Sequence, residues 1–217
     1  MPRPRSLTSG AIAAAALAVL DRHGSTALSM RAVAGELGVG TMSLYRYLDD
    51  RAELERLVVD HVLTPVNLAT PPTDRWDRRL AALCRRIRDA LSDHPAVIPL
   101  MLAHRNVCVS TVRWGEAMMS LLAGAGLAGE RRAIAFRTLL AYVVGALQSD
   151  QLGSLSGAGT AALARLPRHE FPMLAETARA AARIDPADEF RQGLDLVLAG
   201  LATDLHPAAT DAPEGHP

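Results

Sequence analysis

The side chains most suited to chemistry lie between residues 29 and 51, around the triplet Gly38-Val39-Gly40. Two short helices joined by a glycine-containing turn are typical of a helix-turn-helix that reads DNA. Hydroxyl, aromatic and guanidinium groups follow the turn, where they would lie on the outer side of the second helix and within reach of a major groove. These outward side chains are predicted to be Thr41, Met42, Ser43, Tyr45, Arg46 and Tyr47.

Apolar spacing and local charge support this prediction. The first 48 residues contain five arginines and only two acidic residues, although the whole chain has 23 basic and 23 acidic residues. A local excess of positive charge in a neutral chain favours phosphate contact through this region alone. The small core that would hold the two helices together is predicted to contain Val33, Leu37, Val39 and Leu44.

Helical periodicity runs through the rest of the chain, and no alternating strand pattern of useful length is present. The sequence therefore predicts an all-α protein, with a flexible Gly- and Ser-rich loop over residues 153–159. The predicted N-caps are Thr8 or Ser9, Ser29, Thr41, Asp50 and Asp185, with Glu53 completing a capping box. The predicted helices span about residues 8–22, 30–37, 42–48, 51–63, 74–92, 95–103, 107–123, 130–152, 168–183 and 186–205.

The run AGELGVGTMSLYRYLDDR, residues 34–51, resembles the signature of the tetracycline-repressor family of transcriptional regulators. That signature has alanine, a short spacer, Leu-Gly-Val, a polar residue, and Leu-Tyr followed by a second aromatic residue and a basic residue that opens the fourth helix. The resemblance covers roughly residues 7–63, and Arg51 stands where the family usually has lysine.

The resemblance implies an N-terminal three-helix helix-turn-helix DNA-binding domain and a larger C-terminal helical domain for ligand binding and dimerisation. The expected divisions are a DNA-binding domain over 1–50, a connecting helix and linker over 51–72, a ligand-binding and dimerisation domain over 73–206, and a disordered tail over 207–217.

Residue roles in DNA binding also follow from the resemblance. Contacts to bases, or close to them, are expected from Arg31, Thr41, Met42, Ser43 and Arg46, and contacts to the DNA backbone from Tyr45, Tyr47 and Arg51. Three alternatives stay open at this point. The first is that Tyr45 is a core aromatic, the second is that the Tyr47 ring packs against the fourth helix, and the third is that Arg46 is a solvated surface side chain.

The C-terminal part resembles the tetracycline repressor subgroup more weakly, through residues 90–95 and 190–205. It implies a small-molecule pocket between helices, with Trp114 as the leading candidate. The alternatives are that Met118 and Met173 belong to the core and that His104 is a surface residue. Asn67 stands where the tetracycline pocket has an early histidine, so tetracycline itself is not the expected ligand. The candidate lining residues are Asn67, Met101, His104, Trp114, Met118, Tyr142, Gln148 and Met173.

The helices predicted over about 130–152 and 187–205 are apolar on more of their surface than one core-facing stripe needs, which favours a homodimer. The expected function is a repressor released from a palindromic operator when a small molecule binds in the C-terminal domain. The alternative is a helical interaction module of the same fold that has lost DNA binding.

No catalytic triad, metal-ligand cluster or phosphate loop is visible, so the sequence predicts neither an enzyme nor a cofactor. Cys84 and Cys108 lie far apart without metal-ligand spacing and are expected to be buried and apolar. No predicted helix is suited to a membrane, and the expected location is the cytoplasm.

Overall fold

The computed structural model describes residues 7–153 and 155–205, without the side chains of residues 150–152 and 204. All regular structure in that part of the chain is helical, which confirms the all-α prediction. The predicted tail, 207–217, lies outside the described residues. The α-helices are α1 (Ser9–His23), α2 (Met30–Leu37), α3 (Thr41–Leu44), α4 (Arg51–Leu63), α5 (Trp76–Ser92), α6 (Ile98–His104), α7 (Val109–Gly124), α8 (Gly129–Leu152), α9 (Ala158–Leu163), α10 (Pro172–Ala181) and α11 (Pro186–Leu205), with short 3-10 turns at Ser25–Ala27 and Pro95–Val97.

The chain forms two compact units, and α5 and α7 each contribute residues to both. Among the described residues, the first unit comprises 7–69 and 85–117, and the second comprises 70–84, 118–153 and 155–205. The domain boundaries expected after residues 50 and 72 divide the chain into consecutive segments, and they stay predictions.

The core of the first unit is built where α1 packs against α2 and α4. Ile12 and Leu20 of α1 and Leu54 and Val58 of α4 are completely buried, at the helical spacing that the sequence shows. Full burial of such side chains contributes about 1.5–3 kcal/mol each relative to exposure. The first unit therefore holds the short helices α2 and α3 on a rigid base.

Hydroxyl side chains begin the first two helices, as predicted. The Thr8 hydroxyl accepts a hydrogen bond from the N–H of Ala11 at 3.1 Å, and the Ser29 hydroxyl accepts one from the N–H of Ala32 at 3.2 Å. Each cap satisfies a backbone donor that has no partner within its helix.

A reciprocal pair of hydrogen bonds begins α4. The Asp50 carboxylate accepts from the N–H of Glu53 at 2.7 Å, and the Glu53 carboxylate accepts from the N–H of Asp49, also at 2.7 Å. The predicted capping box is present, and the bond from Glu53 is made to the N–H of Asp49, the residue before the N-cap.

The third helix departs from the prediction. Gly40 has extended backbone and is the N-cap, so Thr41 is the first helical residue and no side chain caps α3. The predicted Thr41 cap is therefore wrong. The helix ends at Leu44, well before the predicted end. Val39 is 37% exposed and does not join the predicted core, whereas Leu44 is completely buried.

In the second unit, α8 packs against α11 and α9 packs against α10. The Tyr142 hydroxyl on α8 donates to the backbone carbonyl of Phe190 on α11 at 2.7 Å, and the two rings are 5.4 Å apart between centroids. Gly193 lies beneath the Tyr142 ring so closely that a Cβ there would overlap with it. Glycine therefore permits the close approach of α8 and α11.

Two elements between α8 and α11 were predicted incorrectly. The helix α9 was missed because its first residues fall in the predicted loop and it has no polar side-chain cap. The helix α10 begins at Pro172, later than predicted, because residues before the proline are turned and proline suits the first helical turn. None of the described helices is both long and apolar enough to cross a membrane.

Candidate nucleic-acid interface and effector region

A left-handed glycine produces the turn between α2 and α3. Gly38 has φ of 66° and ψ of 30°, and its N–H points back to the carbonyls of Ala34 and Gly35. The N–H of Val39 also bonds to the carbonyl of Ala34, at 3.0 Å. A residue with a Cβ is disfavoured in this conformation, so glycine fixes the direction in which α3 leaves the turn.

The side chains that follow the turn separate into an inner and an outer set. Leu44 and Leu48 are buried, while Met42 is 76%, Tyr45 47% and Tyr47 43% exposed. The interpretation of Tyr45 as a core aromatic is therefore wrong. Of the other predicted contact residues, Arg31 and Arg46 are exposed, and Thr41 and Ser43 are half-buried.

Arg51 combines an exposed guanidinium with two contacts inside the protein. Its Nε donates to the Glu55 carboxylate at 2.8 Å, and its Nη2 donates to the backbone carbonyl of Ser25 at 3.0 Å. The side chain is still 51% exposed. Arginine has five N–H donors, so the remaining donors can reach a phosphate while one holds α4 to the turn after α1 and another bonds to Glu55 within α4. The sequence did not predict this second role, because it depends on a long-range contact.

Glu55 connects α4 to the end of α6. Its second carboxylate oxygen lies 2.8 Å from Nε2 of His104, and both side chains are only 15% exposed. Burial alone would raise the pKa of Glu55, but the hydrogen bonds from His104 and Arg51 outweigh it, and the pKa lies below its ordinary value of 4.5. His104 is a partly buried contact of α4 and is not the free surface residue that the alternative interpretation assumed.

The corner between α6 and α7 is also held to α4. One carboxylate oxygen of Asp60 accepts the backbone N–H of Ser110 at 2.9 Å and its hydroxyl as well. Cys108 is buried, and burial, with the nearby Asp60 carboxylate, raises the pKa of its thiol to about 11. Burial raises the pKa of the Cys84 thiol to about 12. Both cysteines are buried, as expected, and are poor nucleophiles.

A second histidine–carboxylate contact lies at the other end of the α6 region. Nδ1 of His94, which precedes the turn Pro95–Val97, is 2.8 Å from the carboxylate of Asp21 on α1. The segment from residue 94 to residue 104 therefore meets α1 at its start and α4 at its end.

The predicted effector residues of the first unit fall into two groups. Met101 and Trp114 are buried, at 6% and 5% exposure. Asn67 is exposed, and its side-chain oxygen accepts the N–H of Ala69 at 2.9 Å. Their contact with a ligand stays a prediction.

In the second unit, Met118 is completely buried, whereas Met173 is 70% exposed and is not a core residue. Gln148 is exposed as well. Tyr142 lines a cleft of about 340 Å³ between α8 and α11, which Glu189, Phe190 and small α8 side chains complete. Within the described residues of the chain, no group of three His, Cys, Asp or Glu side chains is placed to hold a metal ion.

The fold and the outward face of α3 define a helix-turn-helix protein with a helical C-terminal part. Residues 12–56 match the family model for bacterial regulatory proteins of the tetR family, and residues 68–205 match that for the tetracyclin repressor-like C-terminal domain. The chain therefore belongs to the tetR family, and its helix-turn-helix is the DNA-binding element of that family.

Curated relatives of this chain are named as repressors. The HTH-type transcriptional repressor DrrR1 of Streptomyces coeruleorubidus is 34% identical over 150 residues, which are 69% of this chain and 55% of that protein. The chain thus spans little more than half the length of DrrR1. An HTH-type transcriptional repressor of Mycobacterium tuberculosis is 28% identical over 209 residues, covering 90% of this chain and 78% of the relative.

Solved structures extend the likeness over nearly the whole chain. Apo ActR from Streptomyces coelicolor is 31% identical with a TM-score of 0.80, over 95% of this chain and all of that one. ActR has also been solved with actinorhodin bound. BioQ with its double-stranded DNA operator is 26% identical with a TM-score of 0.64, over 91% of this chain and 99% of that one.

Proposed function

We propose that this protein is a transcriptional repressor that binds a palindromic operator as a homodimer and releases it when a small molecule binds. The exposure of Met42, Tyr45 and Tyr47 on one side of a buried Leu44 carries the proposal. Exposed aromatic and apolar side chains next to a helix-turn-helix glycine turn have no core to fill, so their natural contact is DNA, either in the groove or at its backbone.

The contacts divide into base readout and backbone binding. Arg46 can make bidentate bonds to guanine, and Met42 can contact a thymine methyl. Arg31, Thr41 and Ser43 complete the set near the bases. Tyr45, Tyr47 and Arg51 bind phosphates, because phenol and guanidinium donors suit phosphate oxygens.

Dimerisation uses α8 and α11. Each presents a large apolar side chain to the outside, Ile134 at 60% exposure on α8 and Leu196 at 76% on α11. Exposed apolar surface on two adjacent helices is buried when a second copy packs across a two-fold axis. Two copies of α3 then read the two half-sites of one operator.

The effector is proposed to bind among the helices of the C-terminal part, with Trp114 and Met101 supplying apolar contacts. ActR supports this proposal, because it is similar over most of the chain and has been solved with (S)-DNPA and with actinorhodin. Met101 and Trp114 are buried here, and Trp114 has the large rigid surface that ligand pockets use. Bacterial DNA lies in the cytoplasm, and the proposal places the protein there.

The test is binding of labelled duplex DNA from the region upstream of the protein's own coding sequence, measured by fluorescence anisotropy. Arg46→Ala is expected to weaken binding by about tenfold, whereas Arg105→Ala, a change at the exposed arginine that follows α6, leaves it unchanged. Addition of actinorhodin or (S)-DNPA, the first compounds of a ligand screen, tests release. A chain that binds no duplex even at low ionic strength is instead an interaction module of the same fold.

A further inference from the structure

We propose that His104 is a positioning residue for operator binding, which acts through Glu55 to set how much of the Arg51 charge is available to a DNA phosphate. This inference rests on the proposed function, since it concerns the affinity for operator DNA. It adds a role for a side chain that touches neither DNA nor bases.

The geometry of Glu55 carries the argument. One carboxylate oxygen of Glu55 lies 2.8 Å from Nε of Arg51, and the other lies 2.8 Å from Nε2 of His104. A single carboxylate thus divides its negative charge between the first residue of α4 and the last residue of α6. The Glu55 side chain is only 15% exposed, so water screens these contacts less than it does at the surface.

His104 and Arg51 compete for the negative charge of the Glu55 carboxylate. A protonated His104 forms a charge-assisted bond with Glu55 and offsets its negative charge, which leaves the Arg51 guanidinium more positive toward a phosphate. When His104 is neutral or withdrawn, Glu55 compensates Arg51 alone. The local positive charge at the start of α4 then falls, and phosphate binding weakens with it.

Two ionisable side chains, Arg51 and His104, contact the Glu55 carboxylate. Arg56 and Asp60 of α4 act electrostatically on the Cys108 thiol, and the Asp60 carboxylate accepts the N–H of Ser110. The turn Pro95–Val97 contributes no ionisable side chain, and Arg105, the residue after α6, donates to the carbonyl of Leu102.

His104 joins α6 to α4 through Glu55. It is the final residue of α6. A movement of α6 would carry His104 away from Glu55, so α6 can act on Arg51 without unfolding any part of α4. This is a linkage between a body helix and a DNA contact through one shared carboxylate.

The experiment compares operator affinity at about pH 6 and about pH 8 at constant ionic strength, because histidine changes charge in this range. The variants are His104→Gln, whose amide can still donate to Glu55, and Glu55→Gln. The matched control is His94→Gln, which alters the histidine–carboxylate contact, also 2.8 Å long, between His94 and Asp21 of α1.

At the lower pH, the wild-type protein is expected to bind operator about three- to fivefold more tightly than His104→Gln does. At the higher pH, the two proteins are expected to bind it equally. Glu55→Gln is expected to remove the same part of the pH response, and His94→Gln to retain it. A full pH response in His104→Gln, or its loss in His94→Gln, would overturn the proposal.

A second measurement needs no DNA. The Nε–H resonance of Arg51 is expected to shift in NMR spectra as the pH passes through the histidine range, in the wild type but not in His104→Gln. If the full chain bound no operator while this shift persisted, the proposed function alone would be contradicted. If Arg51 did not respond, the link from His104 to Arg51 would be contradicted whether or not DNA binds.

Discussion

Arg51 Nη2 donates a hydrogen bond to the backbone carbonyl of Ser25, 26 residues earlier in the chain, at 3.0 Å. The bond ties the first residue of α4 to the 3-10 turn that follows α1. The same guanidinium is paired with Glu55 on its Nε side. The tetR family usually has lysine here, and an ammonium group on a flexible stem cannot reproduce the planar fork that serves both partners at once.

The variant Arg51→Lys tests the structural part of this contact. It keeps the positive charge for a phosphate but loses one of two simultaneous internal bonds, so the free energy of unfolding is expected to fall by about 0.5–1.5 kcal/mol. Operator affinity should fall less than in Arg51→Ala, which loses the charge as well. Urea unfolding and anisotropy titrations give the two quantities. Equal stability of Arg51→Lys and wild type would show that the Ser25 bond contributes nothing.

Met42 is expected to matter for DNA and not for folding. It is 76% exposed, so Met42→Ala should change the free energy of unfolding by less than about 0.5 kcal/mol while weakening operator binding. Met30, at 7% exposure, provides the matched control, because Met30→Ala removes a buried side chain and should cost about 2–5 kcal/mol of stability. Wild-type operator affinity in Met42→Ala would remove Met42 from the interface.

Gly193 is expected to be required beneath Tyr142. The variant Gly193→Ala places a methyl group against the phenol ring, which must then move off the carbonyl of Phe190. A loss of about 1–3 kcal/mol of stability is expected from this overpacking. The matched variant Gly200→Ala lies on the same helix with nothing within 4 Å and should be neutral or stabilising by up to about 1 kcal/mol.

Both glycine variants are to be unfolded thermally at two protein concentrations, so that a change in association is separated from a change in packing. A Gly193→Ala protein as stable as Gly200→Ala would mean that α8 and α11 are not packed as closely as described.

The stability contributed by Glu55 should depend on pH. Its pKa in the folded protein is lowered from 4.5, so its stabilising contacts are fully present above that value and are lost as the pH falls through the folded pKa. At neutral pH, Glu55→Gln is expected to be about 1 kcal/mol less stable than wild type. The difference should shrink below about pH 4.5, and a difference that grows in acid would contradict the assignment. Urea unfolding over a pH series measures it.

Local signals in the sequence were sufficient for most of the fold. The caps at Thr8, Ser29 and Asp50 were predicted because a cap and its helix lie within a few residues of each other. The outward set of side chains on and just after α3 followed from its spacing around Leu44. Thr41 was mistaken for a cap because glycine can take the cap position without any side-chain bond, which leaves no trace in the sequence.

The contacts that join helices could not be predicted in the same way. Glu55 and His104 are 49 residues apart, and nothing in helical periodicity indicates that they meet. His104 therefore entered only as a pocket candidate. The overlap of Tyr142 with the space above Gly193 is likewise visible only after α8 and α11 are packed.

The most direct test of DNA recognition by α3 and the residues from its end to the start of α4 is the salt dependence of binding to the upstream duplex, measured for the wild-type chain and for Arg51→Ala. If Arg46, Tyr45 and Arg51 face DNA, the logarithm of the affinity should fall linearly with the logarithm of the salt concentration, and less steeply after Arg51→Ala, because one phosphate contact is lost. Absence of any association at low ionic strength, or a slope that Arg51→Ala leaves unchanged, would contradict the interface.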